Sequence, residues 1–222
     1  MKKILPALIA AVGLFAAVQS SVQAQEFSAN IGVTNNYVWR GISQTDDEFA
    51  VQGGADVDFG NGFSLGAWAS NVDFGDSTDA EIDLYGGYSF PLSDMVSASV
   101  GGIAYLYPGQ PSGADYNFFE VNSGLEFDLD PVTVSGSVAF SPDVGGDNTW
   151  YFNGGVGIPL GEYFELFGSV GYYEWETATD YVDYAVGASV TWENFTLSGY
   201  YAGTDLSGDD GNFVVLLTAS IP

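Results

Sequence analysis

Carboxylates dominate the side chains of this sequence that could take part in chemistry. The 222 residues include 29 Asp and Glu against 3 Lys and Arg, with no His and no Cys, and the formal net charge is -26. Without His or Cys, the chain cannot form a Ser-His-Asp or Cys-His catalytic site, a zinc site with those ligands, an iron–sulfur cluster or a disulfide. A chain this acidic repels phosphate backbones, so we expect no nucleic-acid partner.

Many of these acids, with one arginine, alternate with apolar residues, which places them on one face of a strand. The candidate site residues are Arg40, Glu48, Asp56, Asp58, Glu81, Asp83, Glu120, Glu126, Asp128, Glu165 and Asp183. Neighbouring acids such as Glu81 and Asp83 could serve as the two carboxylates of a glycosidase. Two acids on one strand face are ordinary in so acidic a chain, however, and we predict neither an enzyme nor a cofactor.

Further acids cluster between the apolar stretches, in three groups: Asp46-Asp47-Glu48; Asp73, Asp76 and Asp79; and Asp205, Asp209 and Asp210. Such clusters offer the oxygen ligands that Ca²⁺ prefers. None has the spacing of an EF-hand, so we interpret them as solvated loop charge and predict no metal site.

Residues 1–24 have the layout of a secretory signal peptide. Met1-Lys2-Lys3 is positive, Ile4 to Val18 is an apolar run, and Val22-Gln23-Ala24 is a small-x-small cleavage site. The alternative, a membrane anchor, needs roughly 20 apolar residues, and this run is shorter and contains Pro6. Cleavage would leave residues 25–222 as one domain, in which Arg40 is the one base against 29 acids.

Hydrophobic alternation with a period of two runs through residues 27–221 and predicts β-strands almost throughout. The first of twelve such stretches runs from Phe27 to Trp39, and the last from Phe213 to Ile221. Short turns such as Gly60-Asn61-Gly62 alternate with long loops such as residues 41–47, 70–79 and 141–148. This arrangement predicts an all-β, up-and-down antiparallel barrel of twelve strands, with both termini at the short-turn end.

Charge placement favours a transmembrane barrel over the alternative, a soluble secreted β-sandwich. Each of the twelve stretches has one register without charge, as a lipid-facing wall requires, because a charge at the bilayer midplane costs about 2–4 kcal/mol. Aromatic residues at both ends of these registers resemble the two girdles of an outer-membrane barrel. The girdle predicted at the long-loop end comprises Tyr37, Trp39, Phe49, Phe119, Phe140, Trp150, Tyr184, Tyr201 and Phe213. We therefore predict a protein of the bacterial outer membrane, surrounded by lipid, with short periplasmic turns and longer extracellular loops.

Motifs within residues 30–90 resemble a known family. They are Asn36-Tyr37-Val38-Trp39-Arg40-Gly41-Ile42-Ser43-Gln44, Gln52-Gly53-Gly54, Trp68-Ala69-Ser70-Asn71-Val72-Asp73-Phe74 and Glu81-Ile82-Asp83-Leu84-Tyr85-Gly86-Gly87-Tyr88. In this order they look like the TorF-type porin family, bacterial proteins long catalogued as of unknown function. The resemblance implies an exported outer-membrane barrel of a Gram-negative bacterium and implies little about its substrate.

The acidic face of the predicted strands would line the barrel interior. Its carboxylates cannot all pair with one guanidinium, so water must reach most of them, and their negative potential would favour cations. The sequence therefore predicts a porin-like channel for passive diffusion of small cationic or neutral solutes. Inward-facing rings could instead close the bore and leave a closed barrel that acts through its extracellular loops; these rings are Trp68, Tyr85, Tyr105, Tyr151, Tyr163, Phe167, Tyr181 and Tyr200. The sequence does not indicate an oligomeric state.

Arg40 is placed by this pattern at the loop end of the first predicted strand. We expect it to pair with lumenal carboxylates such as Glu48 and Glu81, and to set a constriction or anchor the 41–47 loop. The alternative is a structural role in which it pins two strands or holds a surface loop.

Overall fold

The computed structural model describes residues 25–221, so the predicted signal peptide lies outside the described residues. Fourteen strands are found in this range, and twelve of them form one closed barrel. The strands are β1 (Glu26–Thr34), β2 (Val38–Trp39), β3 (Ile42–Ser43), β4 (Ala50–Asp58), β5 (Phe63–Asn71), β6 (Ala80–Ser93), β7 (Val96–Leu106), β8 (Phe118–Asp128), β9 (Thr133–Val144), β10 (Asp147–Leu160), β11 (Phe164–Trp175), β12 (Tyr181–Trp192), β13 (Phe195–Thr204) and β14 (Asn212–Ile221).

Each barrel strand pairs antiparallel with the barrel strands that precede and follow it in the sequence. β1 closes the barrel by pairing with both β4 and β14. Ile31 in β1 lies opposite Gly53 on one side and Ala219 on the other. Closure leaves no barrel strand with an unpaired edge. The predicted twelve-stranded, up-and-down antiparallel barrel is confirmed, and both described termini lie at the short-turn end.

The outer wall of the barrel is apolar, as the uncharged registers predict. Large side chains there are strongly exposed, including Phe27 (68%), Phe213 (65%) and Trp192 (64%). A water-soluble domain would bury such rings, because each contributes a large apolar area. Residues 25–221 contain no helix that is long and apolar enough to cross a bilayer.

The first barrel strand ends earlier than predicted. β1 stops at Thr34, and the alternation that continues to Trp39 belongs to a small hairpin, β2–β3, which turns into the barrel. Tyr37 is buried and Trp39 is half-buried among lumenal rings, so placing these two residues in the outer aromatic girdle was wrong. A hairpin has the same period of two as a barrel strand, so alternation cannot tell them apart.

One predicted long loop is also shorter than expected. β9 extends to Val144 and β10 begins at Asp147, so the two strands occupy most of residues 141–148 and are joined by Gly145-Gly146. Both glycines have positive φ, 60° and 97°, which suits a two-residue hairpin turn. The other long connections are residues 72–79, 107–117, 176–180 and 205–211, and the first of them lies within the predicted 70–79 loop.

Candidate functional site in the lumen

The segment of residues 36–47, here called the lumenal hairpin, is fixed at its base by Asn36. The Asn36 side-chain amide donates to Asp47 Oδ1 at 2.7 Å and to Asn212 Oδ1 at 3.0 Å. Ser43 Oγ donates to Asn36 Oδ1 at 2.8 Å from the other arm of the hairpin. These bonds link both arms of the hairpin to each other and to β14, and thereby direct the hairpin inward.

The lumenal hairpin reaches across the barrel to the strands opposite β1. The Trp39 ring packs against Tyr105 in β7 and Tyr173 in β11, with ring centroids 5.9 and 6.0 Å apart. Val38 packs with Tyr200 and Val214 on the β13–β14 side. The hairpin therefore joins three apolar clusters and occupies the long-loop end of the lumen.

Arg40 lies at the tip of the lumenal hairpin, and its side chain is only 4% exposed. Its Nη2 lies 2.5 Å from Glu120 Oε2 in β8. The guanidinium carbon is 3.9 Å from the centroid of the Tyr151 ring and 4.6 Å from that of Tyr173. This combination of one carboxylate and ring faces is a favourable environment for a planar cation.

The ion pair that Arg40 forms differs from the predicted one. Glu48 lies exposed in the loop after the hairpin, and Glu81 accepts a hydrogen bond from Tyr37 Oη at 3.4 Å. Arg40 lies at φ +47° in the tight β2–β3 turn, and its side chain reaches Glu120 in β8 instead. Pairing with Glu48 or Glu81 was therefore wrong, because the Arg40–Glu120 pair links the hairpin tip to β8 instead.

Three further carboxylates lie at this level of the lumen. Glu81 and Asp83 follow each other on the inner face of β6, and Asp183 Oδ1 accepts from Tyr151 Oη at 3.1 Å. Glu81 Oε2, Asp83 Oδ1 and Asp183 Oδ2 are buried and have no hydrogen-bond partner among residues 25–221. Buried oxygens of this kind are normally satisfied by water or a ligand. In the same described range, no group of three or more acids is arranged to hold a metal ion.

The remaining predicted site residues lie toward the short-turn end. Asp56 accepts from Tyr85 Oη at 2.6 Å and is half-buried, as are Glu126 and Glu165. Asp58 and Asp128 are exposed at strand ends, where each accepts a turn amide, from Gly60 and Asp130. This half of the lumen therefore carries acids with more access to solvent than those around Arg40.

Several apolar residues on the inner face were not singled out from the sequence. Val214 is fully buried and Leu216 is 9% exposed, both inside β14. The signal was present, because residues 213–217 are apolar on both faces of the strand. Of the rings named as inward-facing, Tyr105, Tyr151, Tyr181 and Tyr200 are buried as expected, whereas Tyr163 lies exposed in a turn.

One loop acid at the long-loop end has a shifted pKa. The Trp175 backbone N–H donates to Asp180 Oδ1 at 2.8 Å, and Tyr172 Oη donates to Asp180 Oδ2 at 2.9 Å. These two hydrogen bonds, the amide first, lower the pKa of Asp180 below its ordinary value. Asp180 thus ties together the ends of β11 and β12.

Several solved porin structures have a similar fold. A KdgM porin structure aligns with a TM-score of 0.65 at 11% identity and covers 88% of this chain and 99% of that chain. A KdgM porin in complex with disordered oligogalacturonate aligns with a TM-score of 0.63 at 10% identity, over 90% and 100%. A NanC porin structure aligns with a TM-score of 0.56 at 12% identity, over 88% and 98%. At these identities the likeness concerns the fold.

Sequence comparison gives the family. No curated protein matches the chain significantly. A family model described as "Bacterial protein of unknown function (Gcw_chp)" matches residues 18–214, which is most of the chain. The protein with this twelve-stranded barrel and inward hairpin therefore belongs to the Gcw_chp family of bacterial proteins.

Proposed function

We propose that the protein is a porin-like channel of the bacterial outer membrane, through which small solutes diffuse passively with a preference for cations. The observation that carries this proposal is the division of charge: an apolar outer wall encloses an inner face rich in carboxylates. The residues proposed to line the pore are Arg40, Glu48, Asp56, Asp58, Glu81, Asp83, Glu120, Glu126, Asp128, Glu165 and Asp183. The proposal includes a relationship to the TorF-type porins, which the sequence motifs suggest.

The lumenal charge supports a preference for cations. The one guanidinium is already paired with Glu120, so it does not offset the acids nearer the short-turn end. A cleft lined by charge of one sign concentrates counter-ions and repels co-ions. An acidic sugar polymer, such as the oligogalacturonate of the KdgM complex, would be repelled by this interior. Small cationic or neutral solutes are therefore the proposed substrates.

The proposed location rests on the outer wall. Exposed aromatic residues at the two ends of the strands would sit at the two lipid–water interfaces, with the short turns facing the periplasm. Residues 1–24 are proposed to act as the export signal and to be removed. The protein needs no cofactor and no catalytic residue for this activity.

A second candidate function is a closed barrel that acts through its long loops. It is favoured by the lumenal hairpin, whose clusters with Tyr105, Tyr173 and Val214 occupy the long-loop end of the interior. In this case the acids below the hairpin would hold water without forming a path for solutes.

Reversal potentials of the refolded protein in planar bilayers, under a gradient of KCl, test the proposal. We expect the potential to report a preference for potassium over chloride. The triple variant Asp56→Asn, Glu126→Gln, Glu165→Gln should reduce that preference more than the matched variant Asp115→Asn, Asp143→Asn, Asp210→Asn, whose acids are exposed near the long loops. A preference for chloride would contradict the proposal. If neither the wild-type protein nor an Arg40→Gly variant conducts ions, the closed barrel is favoured.

A further inference from the structure

We propose that Glu120, Tyr151, Tyr173 and Asp183 form a binding site for an organic cation of the guanidinium or alkylammonium class, and that Arg40 occupies it as a tethered ligand. This group of four residues is called the cation site below. The inference deepens the proposed function, because it names a class of cation that this lumen would bind.

The residues of the cation site belong to the barrel wall, whereas Arg40 belongs to the lumenal hairpin. Glu120, Tyr151, Tyr173 and Asp183 come from β8, β10, β11 and β12, four strands on the side of the barrel opposite β1. These four residues are therefore supplied by the barrel, and the site is filled from a separate element, whose own Trp39 ring also lies 4.3 Å from the guanidinium carbon. Removing the Arg40 side chain would empty the site without removing any residue of its wall.

The chemistry of the wall suits a delocalised cation. Glu120 supplies a carboxylate that is 5% exposed, and Tyr151 and Tyr173 present rings within 4.6 Å of the guanidinium carbon. Ring faces attract cations, and the attraction grows when water is excluded. A carboxylate beside two rings distinguishes an organic cation from a small, strongly hydrated metal ion, which would demand more oxygen ligands.

The cation site has more capacity to accept hydrogen bonds than Arg40 uses. Asp183 is 5% exposed, and its Oδ2 lacks a hydrogen-bond partner in the described part of the chain. Arg40 Nε and Nη1 likewise have no partner within residues 25–221. Gly171 makes room for this arrangement, because a Cβ at this position would collide with Asp183 Oδ2 and Tyr151 Oη. A free cation, without the constraint of the hairpin backbone, could use both carboxylates.

The backbone of Arg40 indicates that its side-chain contacts hold the hairpin tip in place. Arg40 has φ +47° and is followed by Gly41 at φ +82°. Residues with a side chain are unfavourable in this region, and glycine adopts it freely. An arginine at such a position is retained against its backbone preference, which is expected if its guanidinium is bound by the wall.

Binding of methylguanidinium to the Arg40→Gly variant tests the proposal. Glycine suits φ +47°, so this variant empties the cation site while relieving the backbone. Calorimetric titration in detergent should show binding to Arg40→Gly at millimolar concentrations and none to the wild-type protein at the same concentrations, with NaCl of equal ionic strength as the control. Adding Glu120→Gln to Arg40→Gly should weaken binding about tenfold or more, because the charged hydrogen bond is lost.

A competition experiment keeps the test decisive if Arg40→Gly does not refold. In a Val38→Cys variant that retains Arg40, high methylguanidinium should displace the hairpin tip and raise the rate of maleimide labelling, whereas NaCl should not. The proposal is overturned if folded Arg40→Gly does not bind methylguanidinium, if Glu120→Gln leaves that binding unchanged, or if neither experiment detects an effect. Both readouts are made without ion flux, so they can fail or succeed independently of channel activity.

Discussion

Glu120→Gln should destabilise the folded barrel by about 3 kcal/mol. The Arg40 and Glu120 side chains are 4% and 5% exposed, so the pair lies in the buried regime, where loss of one partner costs about 3–5 kcal/mol. An exposed pair would contribute about 0–1 kcal/mol. We expect the low end of the buried range, because the rings of Tyr151 and Tyr173 continue to stabilise the guanidinium. Glutamine keeps the shape of Glu120, so the change isolates its charge.

Urea unfolding in phospholipid vesicles, followed by tryptophan fluorescence, measures this difference. The double variant Arg40→Met, Glu120→Gln serves as the control, because it also removes the buried guanidinium that Glu120→Gln leaves without its charged partner. We therefore expect the double variant to be more stable than Glu120→Gln alone. A loss below about 1 kcal/mol for Glu120→Gln, or a double variant less stable than the single one, would refute the buried pairing of Arg40 with Glu120.

Two further predictions concern the hairpin turn and a loop acid. Gly41→Ala should lower the free energy of unfolding by about 1–3 kcal/mol more than Gly75→Ala in the same urea assay. Both glycines have φ near +80°, but only a Cβ at Gly41 would meet backbone, 2.6 Å from Gly203 O. Equal losses of stability would contradict the packing of the hairpin turn against residue 203. The carboxyl of Asp180 should titrate in carbon-13 NMR below its ordinary pKa of about 3.9, and Tyr172→Phe should move the midpoint upward. The stabilisation from the two hydrogen bonds that Asp180 accepts is then fully present above the ordinary pKa and is lost as the pH falls through the lowered pKa. A titration midpoint above the ordinary value would contradict these hydrogen bonds.

The barrel could be predicted from the sequence because the outer wall and the interior impose opposite demands on the two faces of each strand. Residues such as Leu65, Val186 and Leu197 mark the outer face in a strict period of two, and all three are exposed there. The turn glycines punctuate this pattern. Strand number and direction follow from these local signals, without knowledge of which strands touch.

The lumenal hairpin could not be predicted in the same way. Tyr37 and Trp39 continue the alternation of β1, and the change of direction is set by Asn36, which binds Asn212 at the other end of the chain. The pairing of Arg40 with Glu120 likewise joins residues 80 positions apart. Such contacts depend on barrel closure, and a local pattern contains no information about them.

The buried carboxylates illustrate the same limit. The alternation predicts Glu81, Asp83 and Asp183 on the inner face of their strands, and each of the three has a buried carboxylate oxygen. It does not reveal that Glu81 lies against Tyr37 of the hairpin, or that Asp183 lies against Tyr151, whose ring faces Arg40. Whether an inward acid is solvated or enclosed depends on what fills the lumen at its level, and here that is the hairpin.

The presence of the hairpin inside the barrel is tested most directly by cysteine accessibility, which this naturally cysteine-free chain permits. Val38 is 5% exposed within the lumen, whereas Asp46, in the same segment, is exposed. Single variants Val38→Cys and Asp46→Cys, refolded into vesicles, are treated with a membrane-impermeant maleimide. We predict rapid labelling at position 46 and labelling at least tenfold slower at position 38, a factor that corresponds to about 1.4 kcal/mol of protection. Equal rates at the two positions would contradict a hairpin that folds into the long-loop end of the lumen.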